Sequence, residues 1–253
     1  MNSRHRGEVA LVTGANKGIG QEVARRLAAE GMTVYLGARD PERGRQAQRE
    51  LAGDGDVRFT QLDVTDEAQV EAAVHRIDDD FGRLDVLVNN AGVVVEWGTL
   101  VEDVTAEQMR RAYDVNVFGV VAVTRACIPL LRQSNSARIV NLSSPLGSLT
   151  LLSDHDNPIS TRGLLAYSSS KAALNAITVL YANALREDGI RVNAANPGLV
   201  ATDLNASSPF PRGTRTPAHG ADAPVRLALL DIDGPTGAFL GDGDSSIDQA
   251  VPW

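Results

Sequence analysis

Short apolar runs alternate with longer helical stretches along this chain, and that alternation limits its fold more than any other feature. Residues 9–12 form an apolar run, and 19–30 a helical stretch with apolar positions at Val23, Ala24, Leu27 and Ala28. Gly31 follows, the residue type that most readily ends a helix. Strand-like runs recur at 33–36, 57–62, 84–88, 138–142, 190–194 and 238–240. Helical stretches fall between them at 42–51, 66–80, 106–131 and 164–187, and a last one runs up to Leu230.

Repetition of strand and helix predicts a parallel sheet with helices on both faces. Right-handed crossovers then give a single-domain α/β fold, a doubly wound parallel sheet of the Rossmann type. Aromatics are only 4% of the chain, so the core must come from Val, Leu, Ile and Ala, which suit buried parallel strands. No linker or break in composition divides residues 1–253. Two long loops, about 145–166 and 197–217, are expected on the substrate side.

The net charge of −8 argues against a nucleic-acid or acidic-membrane surface, which needs concentrated basic charge. The single cysteine, Cys127, excludes an internal disulfide, and its apolar neighbours predict a packed core thiol. No long apolar span stands out, and the first seven residues carry no signal-peptide core, so a cytoplasmic protein without a membrane partner is expected. Asp154, His155 and Asp156 are adjacent in a loop, where side chains rarely converge, and no metal is expected.

Gly14, Asn16, Lys17, Gly18, Ile19 and Gly20 join the first strand to the first helix. Glycines permit a tight turn and close backbone approach, and a helix N-terminus offers free N–H groups to a pyrophosphate. An acid at the end of the second strand would bind the ribose hydroxyl of NAD. Here the residues are Gly37-Ala38-Arg39, and Arg39 can grip a 2′-phosphate, with Lys17 as a second cation. NADP(H) is the expected cofactor; Asp40 must then point elsewhere.

Tyr167 and Lys171 stand four residues apart, on one face of a predicted helix. A free phenol titrates at about 10, and a nearby ammonium is expected to lower that value, which suits Tyr167 to general acid–base work. With the glycine loop, Asn89-Asn90-Ala91-Gly92, Leu62-Asp63-Val64, Asn116, Ser144 and Pro197-Gly198, the chain resembles the short-chain dehydrogenase/reductase family over roughly residues 8–240. The resemblance implies that Tyr167 donates a proton to a carbonyl oxygen and that Lys171 tunes it and bonds the nicotinamide ribose. It implies that Asn116 holds a water in a proton relay and that Ser144 polarises the carbonyl, with its neighbour Ser143 as the alternative. Asp63, Val64, Asn90, Ala91, Gly92, Pro197, Gly198, Val200 and Thr202 are implied as further cofactor contacts.

Between Ser144 and Tyr167 lie 22 residues, more than is usual in that family, a stretch that resembles its carbonyl-reductase branch. That resemblance leaves monomer and homodimer both open. Glu96, Trp97, Pro145, Leu146, Leu149 and Leu204 are the candidate substrate pocket by position. Most are apolar, so a medium-sized hydrophobic ketone or aldehyde, or the corresponding alcohol, is the expected substrate. Imine reduction, dehydration or epimerisation on the same fold are alternatives, as is a non-catalytic NADP-binding regulator.

Overall fold

The computed structural model describes residues 4–209, 211–241 and 250–253. Its seven strands are β1 Val9–Val12, β2 Thr33–Ala38, β3 Asp56–Gln61, β4 Val86–Asn89, β5 Arg138–Leu142, β6 Arg191–Asn196 and β7 Phe239–Gly241. All pair in parallel, in the order β3-β2-β1-β4-β5-β6-β7. The order reverses between β1 and β4, so the loops leaving their carboxyl ends diverge and open a crevice. The doubly wound parallel sheet expected from the alternation is thus present.

The connections carry α1 Gly18–Ala29, α2 Pro41–Glu50, α3 Glu67–Phe81, α4 Ala106–Tyr113, α5 Gly119–Leu131, α6 Leu149–Ser153, α7 Leu165–Ala184, α8 Pro217–Gly220 and α9 Asp222–Ala228. Successive strand residues point to opposite faces, so β1 feeds two cores. Ala10 and Val12 pack with Val23 and Leu27 of α1 and Val225 of α9. Val9 and Leu11 pack with Ile77 of α3, Val123 of α5 and Ala182 of α7. Cys127 is buried in this second core. Local chemistry sets the helix ends. The Asp40 carboxylate caps α2 by accepting from the N–H groups of Glu42 and Arg43, at 2.9 and 3.1 Å. Gly82, at φ +64°, closes α3.

The stretch 106–131 is one long helix, as expected, with a π-type turn, Asp114–Phe118, inserted between its segments α4 and α5. Two sequence expectations are corrected. The same stretch is apolar enough to count as a long apolar span, with a mean hydropathy of 1.5 in its most apolar window. Its apolar residues are core-forming, since Val120, Val123, Leu130 and Leu131 are buried. The helix expected before Leu230 is two short ones, α8 and α9. Of the polar tail, 242–249 lie outside the described residues, and Trp253 stacks on Phe239 with ring centroids 5.4 Å apart. The Trp253 carbonyl accepts from the Thr150 N–H and hydroxyl, at 3.1 and 2.7 Å, which fastens α6 to the chain end.

Candidate active site

The carboxyl ends of β1 and β4 are tied by side-chain amides. The Thr13 hydroxyl accepts from the N–H groups of Asn90 and Ala91, each at 3.0 Å. Asn90 Nδ2 donates to the carbonyls of Thr13 and Gly14, at 2.8 and 3.0 Å. Gly20 must lack a side chain, because a Cβ there would meet Asn90 Nδ2 at 2.3 Å. Asn89 carries the tie inward, donating to Thr124 Oγ1 at 3.1 Å and Asn141 Oδ1 at 2.9 Å. Asn141 donates in turn to Thr178 Oγ1 of α7 at 2.9 Å. These buried polar groups are satisfied by one another, and so fix β4, β5, α5 and α7 in register.

A cleft of about 600 Å³ opens above this network. Gly14 and Gly18, at φ +62° and +60°, shape its floor. No side chain caps α1, so its first-turn N–H groups remain available to an anion. Arg39 and Asp63 line the cleft. Among the described residues no carboxylate pairs with Arg39, and the Asp40 carboxylate is spent on capping α2. Lys17 is paired already, its Nζ 2.7 Å from Asp203 of the 197–217 loop, so it is not the free second cation the sequence suggested. That loop is built around buried Asn205, whose amide donates to the carbonyls of Val200 and Arg212, at 3.0 and 3.2 Å.

Tyr167 and Lys171 line the same cleft. Both are buried, 8% and 5% exposed. The Ser144 hydroxyl lies near enough to the Tyr167 phenol to favour its ionised form. Ser143 donates instead to Asn175 Oδ1 at 2.6 Å, so its hydroxyl is committed elsewhere and Ser144 is the serine beside the phenol. Lys171 Nζ donates to the Leu142 carbonyl at 2.7 Å and stands 5.7 Å from the centre of the Tyr167 ring. Burial pushes Lys171 down to about 8. It pushes Tyr167 up to about 12, against the lowering by Ser144 and with help from the negative charge of Glu96. The expected lowering of the phenol by the ammonium is therefore not found: desolvation is the largest influence and raises it.

Asn116 sits in the π-type turn, fully buried. Its amide accepts from the Val93 N–H at 2.9 Å and donates to the Val93 carbonyl and Ser170 Oγ, both at 3.0 Å. Both amide hydrogens are committed, which takes its amide N–H groups out of any water relay. A Cβ added at Gly92 would stand 3.4 Å from Asn116 Oδ1 and 3.7 Å from Lys171 Nζ, so these groups converge on bare backbone.

Residues 8–210 match the family described as short chain dehydrogenase. The chain belongs to that family. A relative, (+)-neomenthol dehydrogenase of Arabidopsis thaliana, is 35% identical over 287 residues, covering 91% of this chain and 95% of that one. The solved structure of salutaridine reductase from Papaver somniferum superposes with a TM-score of 0.78 at 35% identity, over 92% of this chain and 99% of that one. NADPH-bound carbonyl reductase from chicken fatty liver gives a TM-score of 0.81 at 28% identity, over 93% and 96%. The protein is an oxidoreductase of the short-chain dehydrogenase family with the Rossmann-type fold.

Within this family member the cleft gathers Gly14, Asn16, Lys17, Gly18, Ile19, Gly20, Val64, Asn90, Ala91, Gly92, Pro197 and Thr202 with Arg39, Asp63, Tyr167 and Lys171. Gly198 and Val200 are not on its wall: Val200 is buried and bridges to Arg215. Of the six substrate-pocket candidates only Leu204 lines the cleft. Leu149 is 67% exposed on α6, and Pro145 and Leu146 form a turn packed beside α7. Trp97 donates its indole N–H to the Leu204 carbonyl at 2.9 Å, joining two loops over the cleft. Glu96 is fully buried and does not line the cleft; Oε1 accepts from the Tyr167 N–H at 2.7 Å. The sequence reading missed Val93, Val94, Val115, Leu142, Ala201, Asp203 and Pro217 as wall residues. All but Pro217 lie within two positions of a residue singled out there, so adjacency was the available signal.

Proposed function

We propose that this chain is an NADPH-dependent carbonyl reductase that converts a medium-sized hydrophobic ketone or aldehyde to its alcohol, reversibly. One observation carries the reading. The glycine floor, Arg39, Tyr167 and Lys171 line one continuous cleft, and among the described residues no carboxylate pairs with Arg39. The residues present fit a dinucleotide with a 2′-phosphate: the uncapped start of α1 suits the pyrophosphate and Arg39 the extra phosphate. When bound, NADPH supplies the hydride.

The remaining chemistry belongs to this chain. Tyr167, pushed up to about 12, holds its proton at neutral pH and is poised to give it to a carbonyl oxygen. Ser144, near the same phenol, is set to share that oxygen and stabilise the charge that develops on it. Lys171 holds the end of β5 through the Leu142 carbonyl. Asn116 fixes the turn after Gly92 against α7. The apolar lining from Val93, Val94, Leu142 and Leu204 supports an apolar substrate. The loops 145–166 and 197–217 would border that substrate.

NADPH consumption over a panel of ketones, aldehydes and quinones tests the reading. Turnover is expected with apolar carbonyls, and Tyr167→Phe should lower kcat at least about 100-fold while NADPH affinity stays unchanged. Reaction of small charged carbonyls alone, or full activity in the Phe variant, would contradict it.

A further inference from the structure

We propose that Glu96 is a positioning residue for Tyr167: its buried carboxylate caps α7 from outside the helix and fixes where the phenol stands. The proposal rests on the reading of Tyr167 as proton donor. A helix start leaves its first N–H groups without partners, and a side chain just before the helix usually supplies one acceptor. Here the residue at that position is Leu164, which has no side-chain acceptor. Glu96, 71 positions earlier in the chain, supplies it, accepting from the N–H of Tyr167 itself at 2.7 Å.

Burying a carboxylate is costly unless it is compensated. Glu96 is 0% exposed, and among the described residues no cation pairs with it. Its compensation comes from the Tyr167 N–H, the Val95 N–H at 3.3 Å and the positive end of α7. The shorter of the two hydrogen bonds and the helix end both depend on the first turn of α7 being in place. A shift of the turn would strand a buried charge, so the carboxylate penalises displacement of the phenol.

The next residue links this anchor to the substrate side, because the Trp97 indole donates to Leu204 of the 197–217 loop. Around the phenol the ionisable groups are Glu96 from the loop after β4 and Lys171 from α7 itself; the loop after β5 contributes the neutral Ser144. Lys17 and Asp203 neutralise one another across the cleft. Glu96 thus places a negative charge near the phenol that favours its protonated form.

Glu96→Ala and Glu96→Gln separate the roles. Gln keeps an acceptor for the Tyr167 N–H and removes the charge; Ala removes both. In Glu96→Ala, kcat for carbonyl reduction should fall about tenfold or more with the KM values nearly unchanged, as expected of a displaced reacting group. Hydrogen exchange in the first turn of α7 should accelerate in that variant and stay slow in the rest of the sheet. Glu96→Gln should restore both kcat and the protection. Its kcat should fall off at lower pH on the alkaline side than that of the wild type, because the charge that favours the phenol is gone.

Unchanged exchange and unchanged kcat in a folded Ala variant would overturn the proposal. Should Ala not fold, a Gln variant with the wild-type alkaline limb and faster exchange at α7 would overturn it instead. The exchange measurement needs no substrate. If Tyr167→Phe proved fully active, the reading of Tyr167 would fall while exchange still decided whether Glu96 holds the helix.

Discussion

Lys171 shows how burial acts on a single group. Its ammonium is enclosed, donates to the Leu142 carbonyl at 2.7 Å, and is pushed from 10.5 down to about 8. Between those two values the unfolded chain binds more protons than the folded one at this residue, so stability rises with pH there. The penalty for burying the charge is complete below about 8 and gone above 10.5, an upper bound of about 3 kcal/mol. Tyr167 and Cys127, both pushed up to about 12, act in the opposite sense above their ordinary values. They are shared with a Lys171→Met variant and cancel in the comparison. The stability difference between wild type and Lys171→Met should therefore move in the wild type's favour as pH rises from 7 towards 10, read by urea unfolding at each pH. A constant difference would mean that the ammonium is not desolvated. The four-residue spacing of Tyr167 and Lys171 was legible in the sequence because a helix puts such positions on one face. The direction of the phenol's shift was not, since it depends on how much protein covers both groups. Choosing between Ser143 and Ser144 likewise required Asn175, 32 positions away, which takes the Ser143 hydroxyl.

At the level of elements, strands read well because each is an apolar run with clear stops. Expected and observed strand boundaries differ by at most two residues; β5 agrees at both ends. The π-type turn within 106–131 was not legible, since one extra residue per turn barely disturbs an apolar pattern over so short a span. Ties between loops were not legible either, because they join residues far apart in the chain. The 197–217 loop is held to the loop after β4 by Trp97 and Leu204, and to the glycine loop by Lys17 and Asp203. With NADPH as the proposed cofactor, the second tie would set Asp203 in competition with the 2′-phosphate for Lys17. Both partners are largely exposed, 51% and 69%, so the pair is worth less than about 1 kcal/mol. Asp203→Asn should consequently tighten NADPH by about two- to fivefold and leave NADH unchanged, in fluorescence titrations at low salt. Equal changes for both cofactors would place Lys17 away from the phosphate.

Across the whole molecule, the two ends of the sheet have different tasks. The carboxyl ends of the strands carry the cleft, with its uncapped helix start, its bare glycine floor and its buried titratable pair. At the amino end of β5, Arg138 is fully buried, donating to the Ala228 carbonyl at 2.8 Å, to Ser136 and to the Glu8 carboxylate. Asp85 lies close by, accepting from the Val9 N–H at 2.8 Å and the Ser134 hydroxyl at 2.6 Å. This cluster joins the amino ends of β1, β4 and β5 to α9, and none of its residues lines the cleft. Glu8→Gln leaves the buried guanidinium short of a charge partner, while Asp85 still offsets part of its charge. The cost should be about 3 kcal/mol, or roughly 6–12 °C in Tm for a chain of this size. With the cleft untouched, the KM for NADPH and kcat should stay at wild-type values below the new transition. Tyr167→Phe should show the reverse, with kcat lost and Tm nearly kept. Measuring melting and turnover for both variants decides the matter: a Glu8→Gln enzyme that loses turnover while still folded would mean that the amino end of the sheet also sets the geometry at Tyr167.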